Sequence, residues 1–531
     1  MRVPRTPVTR RRLLSAAGIG AALTVAGVAA PATRAAARVA ATVNFPDYPF
    51  PLGVASGDPL PHGVVLWTRL ALQPLAEDGN GGMPPEHFQV QWEVAEDERF
   101  QRVTQRGETN ATPKWAHSAH IEVDGLEPAR EYFYRFRVGN EISPVGRTKT
   151  APAKTASPRE LTFGIASCQQ FAGGYYPAYR DMVQSDLDVV LFLGDYIYEG
   201  YTKGTLGRAH LPAREVQTLA EYRVRHAQHK TDPLLREVHA AIPWVVTLDD
   251  HDVDNNWAGA LPGNDNPEGF LDRRAAAFQA FYEHLPMRRS SLPRHADMQL
   301  YRRVGYGDLV KFHMLDTRQY RGNQPLCADP ERVDGYCPGA LSPELTILGA
   351  EQQQWLEDGL KNSRARWNMI AHQTRFTPYD LAEGPEKHYG LALDTWGDGY
   401  VAERNELLDA FGRTGVSNPA VLGGDAHRHW LFDLKRDFAD PDSETVSTEM
   451  MCSSISSNGD RVDVPTRFGG TPDNPYELFL NCQRGYVRCH LDRSEWRMDF
   501  RVSDTVLTPD APLYTSATFV VEDGKPGAQR V

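Results

Sequence analysis

Apolar and polar residues alternate through much of the chain between positions 44 and 150, the two-residue period of strands with one buried face. Val90, Trp92 and Val94 are separated by Gln91 and Glu93, and Ile121 and Val123 flank Glu122. Tyr132, Tyr134 and Phe136 repeat the pattern, and Asp124-Gly125 and Gly139-Asn140 supply turns between the runs. The spacing predicts a small all-β domain over 44–150. The stretch Thr148-Lys149-Thr150-Ala151-Pro152-Ala153 reads as a linker after it.

From about residue 158 the pattern changes to short, continuously apolar runs that end in chemically capable residues. Leu161–Ser167 ends at Cys168, Leu187–Gly194 at Asp195, and Trp244–Leu248 at Asp249-Asp250-His251-Asp252. Leu309–Leu315 ends at Asp316, Trp367–Ala371 at His372, and Ala420–Gly424 at Asp425. Helical stretches lie between several of them, at Leu219–His229, Arg273–Glu283 and Glu351–Lys361. Strands apolar on both faces belong to a sheet covered on both sides. Sites in such α/β folds sit at the carboxyl ends of the strands. An α/β catalytic domain over 158–510 follows, with 511–531 as a C-terminal tail.

The N-terminus reads differently from either part. Thr9-Arg10-Arg11-Arg12-Leu13-Leu14 precedes an apolar, small-residue stretch to Ala30, with Ala-rich sequence through Ala41. Residues 1–41 are therefore expected to be a twin-arginine (Tat) export signal, and the mature protein to be secreted with no stable membrane anchor. The apolar run is nearly long enough to span a bilayer, which leaves an uncleaved anchor as the alternative. The Tat machinery carries folded proteins, which suits an enzyme that acquires metal before export.

Composition narrows the function. With 531 residues, 41% hydrophobic and 24% charged, the chain has the make-up of a globular protein of two or three domains. A formal net charge of -12 repels nucleic acid at long range, so no nucleic-acid partner is expected. The sign does not exclude phosphate chemistry, because bound cations invert the local field. Six cysteines in an exported chain point to disulfides. Cys327 and Cys337, which bracket a short loop, form the simplest pair, and Cys452, Cys482 and Cys489 offer another.

At the strand ends the residue types are those of metal chemistry. Asp195, with Tyr198 three residues on, places a bridging carboxylate beside a phenol that binds only a strong Lewis acid such as Fe(III) as phenolate. Taken alone, Tyr198 would merely pack and Asp195 would cap a turn. Asp249–Asn256 crowds four carboxylates, an imidazole and two carboxamides into eight residues, a repulsion that cations relieve. In Gly423-Gly424-Asp425-Ala426-His427 the glycines admit close approach, and Asp425 and His427 share a face in extended geometry.

These motifs together are similar to the calcineurin-like metallophosphoesterase pattern, and Gly-Asp-x-x-Tyr to the iron-binding tyrosine motif of purple acid phosphatases. Ser167-Cys168-Gln169, Gly194–Glu199, Asp249–Trp257, Leu315–Tyr320 and Gly424–Trp430 resemble the PhoD family of secreted alkaline phosphatases and phosphodiesterases, which includes a non-HKD phospholipase D. The likeness covers nearly the whole mature chain from Gly53–Pro59 onward, and Gly125-Leu126-Glu127-Pro128 with Tyr132 and Tyr134 resembles the end of an immunoglobulin-like or fibronectin-type sandwich. It implies an α/β metallophosphoesterase core holding iron as Fe(3+) and calcium as Ca(2+). Cys168 and Tyr198 would bind iron, Asp195 would bridge, and Asp250 would bind the second metal. Asp249 or Asp252 would support calcium, and Asp425 and His427 would close the site. His372 would be a ligand or stand behind one. With Cys168 a ligand, five cysteines remain and one stays unpaired.

The expected reaction is hydrolysis of phosphate mono- and diesters by a metal-activated hydroxide near Asp195, with phospholipid diesters as the alternative substrate. His251 is the candidate proton donor to the leaving oxygen or phosphate contact, and Asn255 and Arg318 are candidate phosphate contacts. Arg318 has Asp316 or a ligand carboxylate as rival partners. No Gly-x-Ser-x-Gly occurs, and none of the 17 histidines has Lys two residues on, which removes the serine-hydrolase and HKD mechanisms. A secreted binding module with purely structural calcium is the alternative of another class.

Overall fold

The computed structural model describes residues 44–263, 267–325, 327, 332–440 and 442–531. The export signal read in residues 1–41 lies outside them. Two large sheets stack face to face. The ten-stranded sheet carries, side by side and parallel, Glu160–Ala166, Val189–Phe192, Trp244–Val246 and Val54–Leu60. The eight-stranded sheet carries Val310–Met314, Trp367–Ala371, Pro419–Gly423 and Thr445–Met451, also mutually parallel. All six apolar runs read from the sequence are strands of these two sheets.

Period-two alternation sorts each strand between two cores. Val189 and Leu191 join Phe163, Ile165, Phe312, Met369 and Leu422 in the layer between the sheets, while Val190 and Phe192 face outward to helices. Each such buried side chain contributes about 1.5–3 kcal/mol relative to exposure. Helices Pro177–Gln184, Leu219–His229, Pro233–Ala241 and Phe270–His284 cover the ten-stranded sheet, and Gly349–Lys361 and Val401–Thr414 cover the other. The helix at Leu219–His229 starts at a capping box, with Thr218 and Glu221 bonding each other's backbone amides. The α/β core expected from the sequence is thus a helix–sheet–sheet–helix sandwich. No helix among the described residues is long and apolar enough to cross a membrane.

Two boundaries differ from expectation. The N-terminal β region is a sandwich around Val64, Leu66, Val90, Val94, Tyr134 and Phe136, but only its five-stranded outer sheet is its own. Strands Val54–Leu60, Gly63–Arg69 and Ser118–Asp124 extend the catalytic ten-stranded sheet, with Gly57 paired to Trp244. The expected linker is correspondingly structured, with Thr148 and Lys149 in a strand and Ala151 buried. The expected tail at 511–531 is instead the strands Leu513–Glu522 and Gln529–Arg530, which complete the opposite end of that sheet. Alternation gives a strand's buried face but not the sheet that receives it.

Candidate metal centre

The two sheets meet at their carboxyl edges, where Ser167 and Ser454 form a parallel bridge between them. Past that edge the backbone bends sharply. Cys168, Asp195, Asp425 and His427 adopt φ of 60°, 56°, 60° and 53°. Left-handed conformations cost non-glycine residues on the order of 1–3 kcal/mol each and persist only where their surroundings impose them. Gly194, at φ 107°, lets two ligand-bearing turns touch, because a Cβ there would collide with the Cβ and amide of Asp249.

Three overlapping groups result. Cys168, Asp195 and His427 form one, Asp195, Asp250 and His251 a second, and Asp249, Asp250 and Asp425 a third, each with ligand atoms mutually within 4.8 Å. Asp195 and Asp250 are shared between groups. Tyr198 joins the first group, its hydroxyl 2.9 Å from Asp195 Oδ2 and 3.0 Å from His427 Nε2. Asp195 Oδ1 and Asp249 Oδ2 are buried with no hydrogen-bond partner among the described residues. A buried carboxylate oxygen left bare is costly unless a cation takes it.

The electrostatics agree. Asp195 is held well above the usual carboxylate range by burial and by Asp250 and Asp249, with His251 opposing. Cys168 and Tyr198 are raised well above their ordinary values by burial and by Asp195. His427 is pushed down to about 3 by burial and by Arg484, so its imidazole is neutral and has a lone pair to give. Thiol, phenol, carboxylate and neutral imidazole together fit a cation, since a positive charge among them would reverse the first three shifts. The first group, with thiol and phenol, fits a strong Lewis acid such as ferric iron, and the all-carboxylate third group fits a hard cation such as calcium.

Several expected roles change. Asp252 points away from the groups, and both its oxygens are taken by backbone amides. Oδ2 accepts from Asp195 at 3.0 Å and Asp249 at 2.9 Å, and Oδ1 from Tyr196 at 3.0 Å and Ile197 at 3.2 Å. It staples two ligand turns together and offers no oxygen to calcium. Arg318 is fully buried and donates from Nε to Asp249 Oδ1 at 2.6 Å and from Nη1 to Asp394 Oδ2 at 3.2 Å. Its Nη2 has no hydrogen-bond partner among the described residues and lies 3.6 Å from Asp250 Oδ1, so Arg318 sits among the candidate ligand carboxylates, the rival partners read for it from the sequence. His372 sits outside all three groups, edge-on to Trp396 at 4.8 Å, with no hydrogen-bond partner for either ring nitrogen among the described residues.

His251 stays at the rim, its Nδ1 2.7 Å from Glu199 Oε2. The Asn255 amide donates to the other Glu199 oxygen at 2.9 Å. Cys327 and Cys337 are linked, and Cys168 is free, as expected. Cys452, Cys482 and Cys489 form no second bridge and leave three unpaired thiols where one was expected. They are core residues, with Cys482 in a different apolar cluster from the other two.

Sequence reasoning missed Glu199, Asp394, Ser457 and Asn458 as site residues. Glu199 lies within the quoted Gly194–Glu199 motif, four residues after Asp195. Ser457 and Asn458 follow the parallel strand Thr445–Met451, whose Thr-Val-Ser-Thr-Glu start lacks the continuous apolar run that marked the other six. Asp394 comes from a loop with no local mark.

Comparison with known proteins places this geometry. The family model for the PhoD-like phosphatase matches residues 163–500, and that for the PhoD-like phosphatase N-terminal domain matches 34–152. Alkaline phosphatase D of Bacillus subtilis (strain 168) is 44% identical across 98% of this chain and 89% of its own length. A solved structure of PhoD superposes with a TM-score of 0.86 at 44% identity, covering 92% of this chain and 93% of that one. Purple acid phosphatase PPD1 from yellow lupin shares the fold at TM-score 0.54 and 13% identity, over 88% of this chain and 73% of its own.

Proposed function

Since the chain belongs to the PhoD-like phosphatase family and is a phosphoric ester hydrolase, we propose that it hydrolyses phosphate mono- and diesters at the groups joined by Asp195 and Asp250, with bound cations. The observation that carries this is the sharing of those two carboxylates among three sets of ligand atoms within 4.8 Å. Cys168, Asp195, Tyr198 and His427 would hold iron, and Asp250 with Asp249 and Asp425 would hold calcium. Cations there neutralise phosphoryl oxygens and acidify water.

The chain's own groups do the rest. Asp195, shared by two groups, would give its bare Oδ1 to a cation and so tie the two groups together. Glu199 holds Nδ1 of His251, which leaves Nε2 to hand a proton to the leaving oxygen. Burial works against the imidazolium, and the Glu199 carboxylate hydrogen-bonded to Nδ1 favours it. Arg318 offsets the charge of Asp249 and fixes its orientation. Asn255, whose amide is tied to Glu199, keeps its side chain as the candidate phosphate contact.

The test is turnover of p-nitrophenyl phosphate and bis-p-nitrophenyl phosphate by the mature protein, before and after chelation, with phosphatidylcholine as a third substrate. Loss on chelation and in Asp195→Asn supports the reading. Choline release as the main activity would favour the phospholipase D alternative. Full turnover of the esters by metal-free protein would sink the cation assignment.

A further inference from the structure

The strand Thr445–Met451 runs into Cys452-Ser453-Ser454-Ile455-Ser456-Ser457-Asn458, and every residue from Cys452 to Ser457 is fully buried. Hydroxyls brought that far from water generally take protein partners, and three of the four serines here do, Ser454 Oγ having none among the described residues. Ser453 Oγ donates to the His427 carbonyl at 3.0 Å, and Ser456 Oγ to the Gln170 carbonyl at 2.9 Å. Asn458 Nδ2 lies 3.4 Å from His427 Nδ1. Ser457 Oγ stands 2.7 Å from both the Cys168 carbonyl and the Tyr198 hydroxyl oxygen. One loop therefore touches Cys168, Tyr198 and His427, the three ligand candidates of the first group that are not carboxylates.

The proton count at Tyr198 singles out Ser457. The phenol oxygen has three polar neighbours, Asp195 Oδ2, His427 Nε2 and Ser457 Oγ. The carboxylate can only accept, and an imidazole that gives its Nε2 lone pair to a cation cannot donate from that atom. Ser457 has one proton and two acceptors within reach. With the phenol protonated, Tyr198 donates to Asp195 and Ser457 donates to the Cys168 carbonyl. With the phenol ionised, only the Ser457 hydroxyl can turn to donate to it.

We propose that Ser457 is a positioning residue for Tyr198, holding the phenol oxygen toward Asp195 and His427 and donating a hydrogen bond to it in the ionised, cation-bound form. The proposal rests on the reading of the first group as a cation site. Partners that orient metal ligands are worth about 10–100-fold in metal affinity.

The experiment measures ferric iron affinity of the metal-free mature protein by competition with a coloured chelator, together with the visible phenolate-to-iron band. Ser457→Ala is expected to lose affinity by about 10–100-fold and to move the band to longer wavelength, because an unbonded phenolate gives up its electron more readily. Ser457→Thr, which keeps the hydroxyl, should restore both. In a Tyr198→Phe background the loss from Ser457→Ala should disappear, which a merely structural role would not produce. An unchanged affinity and band in Ser457→Ala, or an equal loss with Tyr198→Phe, overturns the role of Ser457. Wild-type protein that takes up no iron and shows no band overturns the cation reading itself, and the proposal with it. Should Ser457→Ala not fold, resonance Raman of the wild-type iron protein in H2O and D2O reads the same bond: the tyrosinate modes should shift, and no shift refutes it.

Discussion

Asp252→Asn is the sharpest test of how the site is held together, because it changes one atom and leaves the side-chain volume intact. The carboxylate accepts four backbone amides, two on each oxygen, from Asp195, Tyr196, Ile197 and Asp249. In the amide, Oδ1 keeps two of those bonds while the NH2 group faces two N–H donors. Above about pH 7, where the carboxyl that burial raises to about 7 is ionised, two bonds to a charged acceptor are lost at about 1.5–3 kcal/mol each, which gives roughly 3–6 kcal/mol before donor–donor repulsion is added. Unfolding entropy near 2.1 cal/mol/K per residue makes that a fall of about 3–6 °C in Tm for a chain of this size. Metal-free protein is melted by calorimetry, and amide hydrogen exchange is followed by mass spectrometry. Exchange should quicken over residues 195–197 and at 249, and turnover should fall about 100-fold as the ligand turns drift apart. A variant melting within about 1 °C of wild type, with protected amides at those positions, would refute the staple.

Other outcomes follow from the same structure. Lys230 is buried against Trp67 and Tyr196, and burial lowers its ammonium to about 7. Between about pH 7 and 10 the unfolded chain carries that proton and the fold does not, so its contribution makes stability rise with pH by up to about 1.4 kcal/mol per unit. Lys230→Met should flatten that slope in urea titrations, and an unchanged slope counts against it. Arg318→Met leaves Asp249 without its paired cation, while Asp394 keeps Arg321 at 3.8 Å, so the metal-free protein should lose about 3–5 kcal/mol, and calcium should recover more stability in the variant than in wild type. Equal calcium recovery in both would show that Arg318 does not offset the ligand carboxylates. Finally, Arg10→Lys with Arg11→Lys should hold the precursor in the cytoplasm, and normal secretion in a fractionation blot would rule out twin-arginine export.

The strand ends were legible because a buried run stopping at Cys, Asp or His leaves little but chemistry to explain it. Cys168, Asp195, Asp249, Asp250, Asp425 and His427 could be found on that ground, and they converge. Asp252 shows where the reasoning stops. Its neighbours in sequence are ligand candidates, but whether its oxygens meet a cation or four amides depends on the path of the Asp195–Ile197 turn, which no local pattern encodes. Arg318 is similar, since a guanidinium suits phosphate and carboxylate equally until burial decides. The serine loop went unread because small hydroxyl residues look like surface until a strand on either side encloses them. The 511–531 segment reads as a tail from sequence, since its strand Leu513–Glu522 is half polar, as the outer part of a sheet allows.

That last strand has a bearing on synthesis. Glu160–Ala166, which positions Cys168, pairs on one side with Val189–Phe192 and on the other with Arg484–Asp492, so that Ile165 meets Val487. When the ribosome has released the first half of the chain, one edge of that strand is still bare, and a bare apolar edge invites pairing with a neighbouring molecule. The flanking strands through Leu513–Glu522 arrive only as the chain ends. The ligand-bearing turns therefore close late, and closing so distant a pair slows folding. A chaperone that shields residues 160–166 during translation should raise the yield of active protein more than one acting after release. Trimming residues 511–531 should leave the candidate ligand residues in place by sequence and yet deprive the protein of a finished sheet to mount them on.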